Sequence, residues 1–204
     1  MAAESLKLFL VEDQAMVLGA LAALLDREPD LVVAGTATSA EEARQALPET
    51  AVDVLLTDIE LPGDSGLDLA RYAADALPDM RVIVLTTFAR SGYLERAMAA
   101  GVRGYVLKDS RASELAETIR RVHAGQRVVD AELVAASWTE TNPLSEREQQ
   151  CLKLAAEGLP NSDIAQRVFL SEGTVRNYLS AALGKLNATN RTEAARLAQQ
   201  KGWI

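Results

Sequence analysis

The chain has 204 residues, 49% hydrophobic and 25% charged, with a net charge of −8 at pH 7; this balance is that of a globular protein with no need for a disordered segment. No apolar run approaches the roughly 20 residues of a membrane span, and Met1 to Lys7 leads into a strand without the features of a signal peptide. The single cysteine, Cys151, excludes an internal disulfide and a cysteine-based zinc site, and a cytoplasmic protein is expected.

The charge is uneven. Residues 1–127 hold 20 acids against 13 Lys and Arg, whereas 161–204 hold 3 acids against 6. Two domains with different partners are expected, the basic one facing phosphates.

In chain order, Leu6 to Val11 is an apolar strand running into Glu12-Asp13. From Gln14 to Arg27, apolar residues at 17, 18, 21, 24 and 25 predict one buried helix stripe. Leu31 to Val33 reads as a second strand, and Ser39 with Glu42 as a capping box opening a helix to Leu47. Val54-Leu55-Leu56 is too short for a globular helix and predicts a strand buried on both faces, ending in Asp58 before a Pro62-Gly63 loop. A helix over 66–76, a strand over 82–85 ending in Thr86, and a helix over 92–100 follow. Gly104 to Leu107 is a fifth strand ending in Lys108, and a helix from about Ser110 to His123 closes the series. Five strand–helix alternations imply a parallel sheet covered by helices.

Such a sheet delivers the last residues of every strand to one edge, where open α/β sheets hold their ligands. Glu12, Asp13 and Asp58 would repel one another there unless a cation sat among them. Hard oxygen ligands with room for water and phosphate suit Mg²⁺, and the Glu60 carbonyl lies two residues beyond Asp58. Lys108 offers a charge and Thr86 a hydroxyl to anionic oxygens, a set suited to phosphoryl transfer onto a carboxylate.

Glu12-Asp13, Asp58, Leu61-Pro62-Gly63 with Gly66, Thr86 and Gly104-Tyr105-Val106-Leu107-Lys108 resemble the receiver domain of a bacterial response regulator. The resemblance implies a flavodoxin-like (βα)5 fold over residues 5–124, with Asp58 as phospho-acceptor. It also implies Mg²⁺ held by Glu12, Asp13, Asp58 and the Glu60 carbonyl, a switch pair in Thr86 and Tyr105, and phosphate binding by Lys108.

Residues 125–142 read as a linker, with a short helix over 130–138 that ends at Trp138. Beyond it, Ser145 to Glu148 is a capping box whose helix ends at Gly158. Asn161 is expected to cap a short second helix, and Ser171 a third running to Leu186; a fourth begins near Arg191 and ends at Gly202. Two short helices about a tight turn form a helix-turn-helix. On the third, Val175, Leu179, Ala182, Leu183 and Leu186 should bury, leaving Gly173, Arg176, Asn177, Ser180 and Gly184 outside. Arg suits guanine and Asn adenine, while Thr174, Tyr178 and Lys185 flank that face and could hold phosphates.

Ala156-Glu157-Gly158, Asn161 with Ile164-Ala165, Ser171 to Arg176, and Lys185-Leu186 with Asn190 to Glu193 resemble the LuxR/NarL-type DNA-binding domain, over 143–204. Ser180 departs from it, standing where some relatives carry a basic residue. The resemblance implies DNA contacts from Ser171, Thr174, Arg176, Asn177, Tyr178, Ser180 and Lys185. Thr86 to Arg90 and Asn177 to Ser180 also resemble, more loosely, regulators of membrane-lipid desaturation. A transcription regulator, not an enzyme, is expected, with a sensor histidine kinase, promoter DNA, RNA polymerase and a second copy as partners and no membrane. Candidate pairing surfaces are Leu18, Leu25, Ile119 and Val122, or Ala194, Ala195, Leu197 and Ala198. Two alternatives stay open: a Mg²⁺-dependent phosphatase with Asp58 as nucleophile, and a receiver that acts by contacts without phosphate.

Overall fold

The computed structural model describes residues 5–87, 91–137 and 141–204. Phe88 to Arg90, and the linker residues Trp138 to Glu140, lie outside them. The chain divides into two compact units whose main boundary in sequence falls between Ala135 and Ala136.

The first part runs β1 (Leu6–Val11), α1 (Ala15–Leu25), β2 (Leu31–Ala37), α2 (Ala40–Ala46), β3 (Val54–Asp58) and α3 (Gly66–Ala76). It continues through β4 (Arg81–Thr86), α4 (Ser91–Ala99), β5 (Gly104–Leu107), α5 (Ala112–His123), β6 (Val128–Val129) and α6 (Ala131–Ser137). The strands form one parallel sheet in the order β2-β1-β3-β4-β5-β6. All five residues of β3 are buried, as a strand sandwiched between helical layers requires. The strand order reverses between β1 and β3, which opens a crevice beyond their carboxyl ends.

Leu8, Leu10, Leu56, Ile83 and Val106 pack with Leu18, Leu25, Ile119 and Val122 in one core. Those four helix residues are therefore corrected as a pairing surface: they hold α1 and α5 on the sheet. At the other end of the chain, Ala194, Ala195 and Ala198 are buried as well.

Three local expectations change. β6 joins the sheet inside the stretch read as linker, its Val128 paired with Gly104. Ser39 accepts the Glu42 amide, but the Glu42 carboxylate accepts from the Thr38 amide at 2.7 Å instead of closing a capping box on Ser39. Asn161 is the first residue of α8 (Asn161–Val168), and Pro160 occupies the cap with no side-chain bond.

The second unit contains α7 (Glu146–Ala156), α8, α9 (Glu172–Lys185) and α10 (Arg191–Gln200). Ser145 forms the expected capping box with Glu148, and Ser171 accepts the Thr174 amide at 3.1 Å. Cys151, Leu152, Ile164, Val175 and Leu179 share its core with the α10 alanines. Cys151 is thus a core residue, and burial pushes its thiol pKa up. No helix among the described residues is long and apolar enough to cross a membrane.

Candidate functional site

The crevice between β1 and β3 collects the acids. Each of Glu12, Asp13 and Asp58 places a carboxylate oxygen within 4.8 Å of the others. Glu12 and Asp58 are buried, whereas Asp13 is exposed. From the end of β5, the Lys108 ammonium lies 2.6 Å from Glu12 and 2.9 Å from Asp58. Burial pushes the Glu12 carboxyl above the usual range, against the pull of Lys108. Burial alone would lower the Lys108 pKa, but its bonds to both carboxylates outweigh this and hold it above the ordinary value. One ammonium therefore balances part of a three-carboxylate cluster, and an oxygen-seeking divalent cation fits the charge left over.

Asp58 is fixed by its own turn. One of its oxygens accepts the Ile59 amide at 2.7 Å, and Glu60 stands exposed at the start of the loop beyond. That loop is held from α2, a contact with no signal in the sequence: the Glu41 carboxylate accepts the Asp64 amide at 3.1 Å, and Arg44 pairs with Asp64. The amide bond pulls the Glu41 pKa down.

Gly66 starts α3 hard against the end of β3. A Cβ there would lie 1.7 Å from the Asp58 carbonyl oxygen and 2.8 Å from the Thr57 hydroxyl. Gly66→Ala must therefore displace the backbone that aims Asp58. The expected cost is about 1–3 kcal/mol of stability by overpacking, with slower phosphorylation of whatever protein folds. A melting curve and an acetyl phosphate time course check both.

The two residues expected to form a switch pair lie on neighbouring strands. Thr86 is buried at the end of β4 and Tyr105 is buried in β5, where it pairs with Val84, two residues before Thr86. Both side chains are buried in this conformation.

In the second unit, α9 divides largely as its periodicity predicts, with Leu183 and Leu186 only partly buried. Val175, Leu179 and Ala182 are buried, while Gly173, Arg176, Asn177, Ser180 and Gly184 are exposed. Ser171 and Thr174 share a 2.7 Å hydroxyl contact at its start. Tyr178 is partly buried against the core, and Arg176 reaches Glu172 at 3.3 Å. Lys185 has a partner that sequence reasoning missed: Glu148, only 5% exposed, at 2.7 Å. Burial alone would raise the Glu148 pKa, but Lys185 and the Ser145 amide and hydroxyl outweigh it and bring it below the usual range.

Comparison with known proteins covers both units. Residues 8–120 match the family profile described as the response regulator receiver domain, and residues 142–198 match that of bacterial regulatory proteins of the luxR family. The uncharacterized transcriptional regulatory protein YvfU of Bacillus subtilis is 49% identical, over 98% of this chain and 100% of its own. Transcriptional regulatory protein DesR of the same organism is 44% identical, over 98% and 99%. Among solved structures, the response regulator ChrA of a heme-sensing two-component system is 31% identical, with a TM-score of 0.58 over 99% of this chain and 100% of that one.

Proposed function

The chain belongs to the response regulators, with a receiver domain (the first unit) and a luxR-family DNA-binding domain, and we propose that Asp58 is the residue through which a sensor histidine kinase controls it in the cytoplasm. The observation that carries this reading is the convergence of Glu12, Asp13, Asp58 and Lys108 at the β1/β3 crevice. An Asp58 oxygen attacks the phosphorus of the donor, the new P–O bond forms, and the bond to the donor's histidine nitrogen breaks. The Ile59 amide and Lys108 keep the carboxylate aimed. Glu12 and Asp13, with the Glu60 carbonyl, would hold Mg²⁺ beside it. When bound, the ion neutralises charge on the transferring group.

The Thr86 hydroxyl then binds a phosphoryl oxygen, a charge-assisted bond of about 1.5–3 kcal/mol. Inverting a 1:99 population takes about 5.5 kcal/mol, so Lys108 must add to it by turning from Glu12 toward the phosphoryl group. Tyr105, already inside, repacks where it lies.

Output requires two DNA-binding domains on half-sites about 10–10.5 bp apart, and hence a dimer, with RNA polymerase reading the bound promoter. The outer face of α1 supports a pairing surface. Met16 is 87% and Leu24 44% exposed, and no residue of this 11-residue helix is polar. A surface helix without a polar face expects a partner. Leu24→Glu should leave phosphorylation intact and weaken dimerisation at least about tenfold, about 1.4 kcal/mol; sedimentation of the phosphorylated protein measures it.

Footprinting with and without acetyl phosphate tests the whole reading. Protection at lower protein concentration after phosphorylation is expected. Identical footprints would favour action by contacts alone, and multiple turnover of a phosphomonoester would favour a phosphatase.

A further inference from the structure

Phe169 sits in the turn between α8 and α9 with φ 55° and ψ 46°, the left-handed region. There a Cβ crowds the backbone, and a bulky side chain is a true outlier. Every other described residue of positive φ in this chain is glycine or asparagine: Gly63, Gly101, Gly125, Gly158, Asn187 and Gly202. The turn itself is tightly set. The Phe169 amide donates to the Gln166 carbonyl at 3.4 Å and the Leu170 amide to the Ala165 carbonyl at 3.0 Å. Leu170 supports the core from beside it.

The ring repays none of this within the fold, because Phe169 is 94% exposed. The left-handed conformation of a large side chain weakens the folded state, and in open solvent no burial offsets it; such outliers point to function. Its place indicates what the function is. Phe169 stands two residues before Ser171, the cap of α9, and the exposed face of α9 continues from that cap through Gly173, Arg176 and Asn177. In a helix-turn-helix the start of the second helix enters the major groove, so the turn ahead of it lies along the groove's rim.

We propose that Phe169 is a DNA-contacting residue whose ring packs on the deoxyribose faces of the backbone bordering the groove. The inference rests on the DNA-binding reading of α9 and extends its contact surface into the turn. A ring against sugar buries apolar surface without neutralising a phosphate. It therefore adds affinity for any sequence and leaves the counterion release unchanged.

The test uses the full-length phosphorylated protein, with one promoter fragment, one scrambled fragment and a salt series. Phe169→Asn suits the left-handed conformation, so its melting temperature should equal or exceed that of the wild type. Its affinity should fall about tenfold on both fragments, about 1.4 kcal/mol, with the slope of log affinity against log salt unchanged. Phe169→Trp should bind nearly as the wild type does. Affinity of Phe169→Asn within twofold of the wild type overturns the proposal. If transcription in vitro falls while DNA affinity holds, the ring meets RNA polymerase, and the DNA assignment is likewise wrong. A flattened salt slope would show a phosphate-dependent effect and overturn the sugar contact. Wild-type protein that binds neither fragment would remove the DNA-binding reading and this inference with it.

Discussion

Asp58→Ala should accept no phosphoryl group from acetyl phosphate and Mg²⁺, where the wild type accepts one per chain. The variant should nevertheless fold. Asp58 is 6% exposed and shares Lys108 with Glu12, so removing it leaves a buried one-to-one pair in place of two buried acids sharing one ammonium. Like charges that close disfavour ionisation, and the melting temperature without Mg²⁺ should hold or rise. This separates a missing acceptor from a missing fold. Asp13→Ala should slow labelling without abolishing it, because it takes away a proposed metal ligand and no reacting atom. Lys108→Ala should do the opposite to stability: with no ammonium among the acids, the protein should melt lower without Mg²⁺ and regain most of the loss when Mg²⁺ is added. Intact-mass measurement beside calorimetry reads all three. Labelling of Asp58→Ala at the wild-type level would remove the assignment, and Lys108→Ala insensitive to Mg²⁺ would mean the acids do not hold it.

The strands that build this site were legible because buried parallel strands are short apolar runs, and each of these stops at a charged or hydroxyl residue. β1, β3 and β5 announce their own ends in Glu12, Asp58 and Lys108. The rest was hidden for physical reasons. β6 has two residues and gains its place from pairing with β5, which no local pattern encodes. α1 has no polar residue, so its apolar stripe had no contrast: Leu18 and Leu25 are core as that stripe predicts, which removes the pairing role also offered to them, whereas Leu24 of the same stripe is 44% exposed. The α2 grip on the loop after Asp58 joins Glu41 to Asp64, 23 residues on, and only the sheet topology brings them together. Glu148 was readable as a helix cap, but its second bond crosses to another helix.

That second bond reshapes what α9 should do on DNA. Arg176→Ala and Asn177→Ala should each cost about 1–3 kcal/mol on a promoter fragment and less on a scrambled one, because both sit on the exposed face of α9 that we propose reads the bases. Releasing Arg176 from Glu172 asks little, since that pair is exposed on both sides. Lys185 differs. If its ammonium reaches a phosphate, Lys185→Ala should weaken binding to every sequence and flatten the salt slope by about one unit. It also anchors the last turn of α9 to the buried Glu148 carboxylate, so the same change should lower stability by up to about 1.5–3 kcal/mol, less whatever solvent screens at a half-exposed lysine. The Glu148 part has a sign: its folded pKa is depressed, so its stabilisation is present above the unfolded value and lost as pH falls through the folded one. The Lys185→Ala, Glu148→Gln double variant separates the two roles. With the buried charge gone, stability should recover in part while the flattened salt slope persists. Recovery of DNA affinity together with stability would make Lys185 a positioning residue and no phosphate contact. Equal losses of Arg176→Ala on both fragments would assign that arginine to the backbone, and the reading face would shrink to Asn177 and its neighbours.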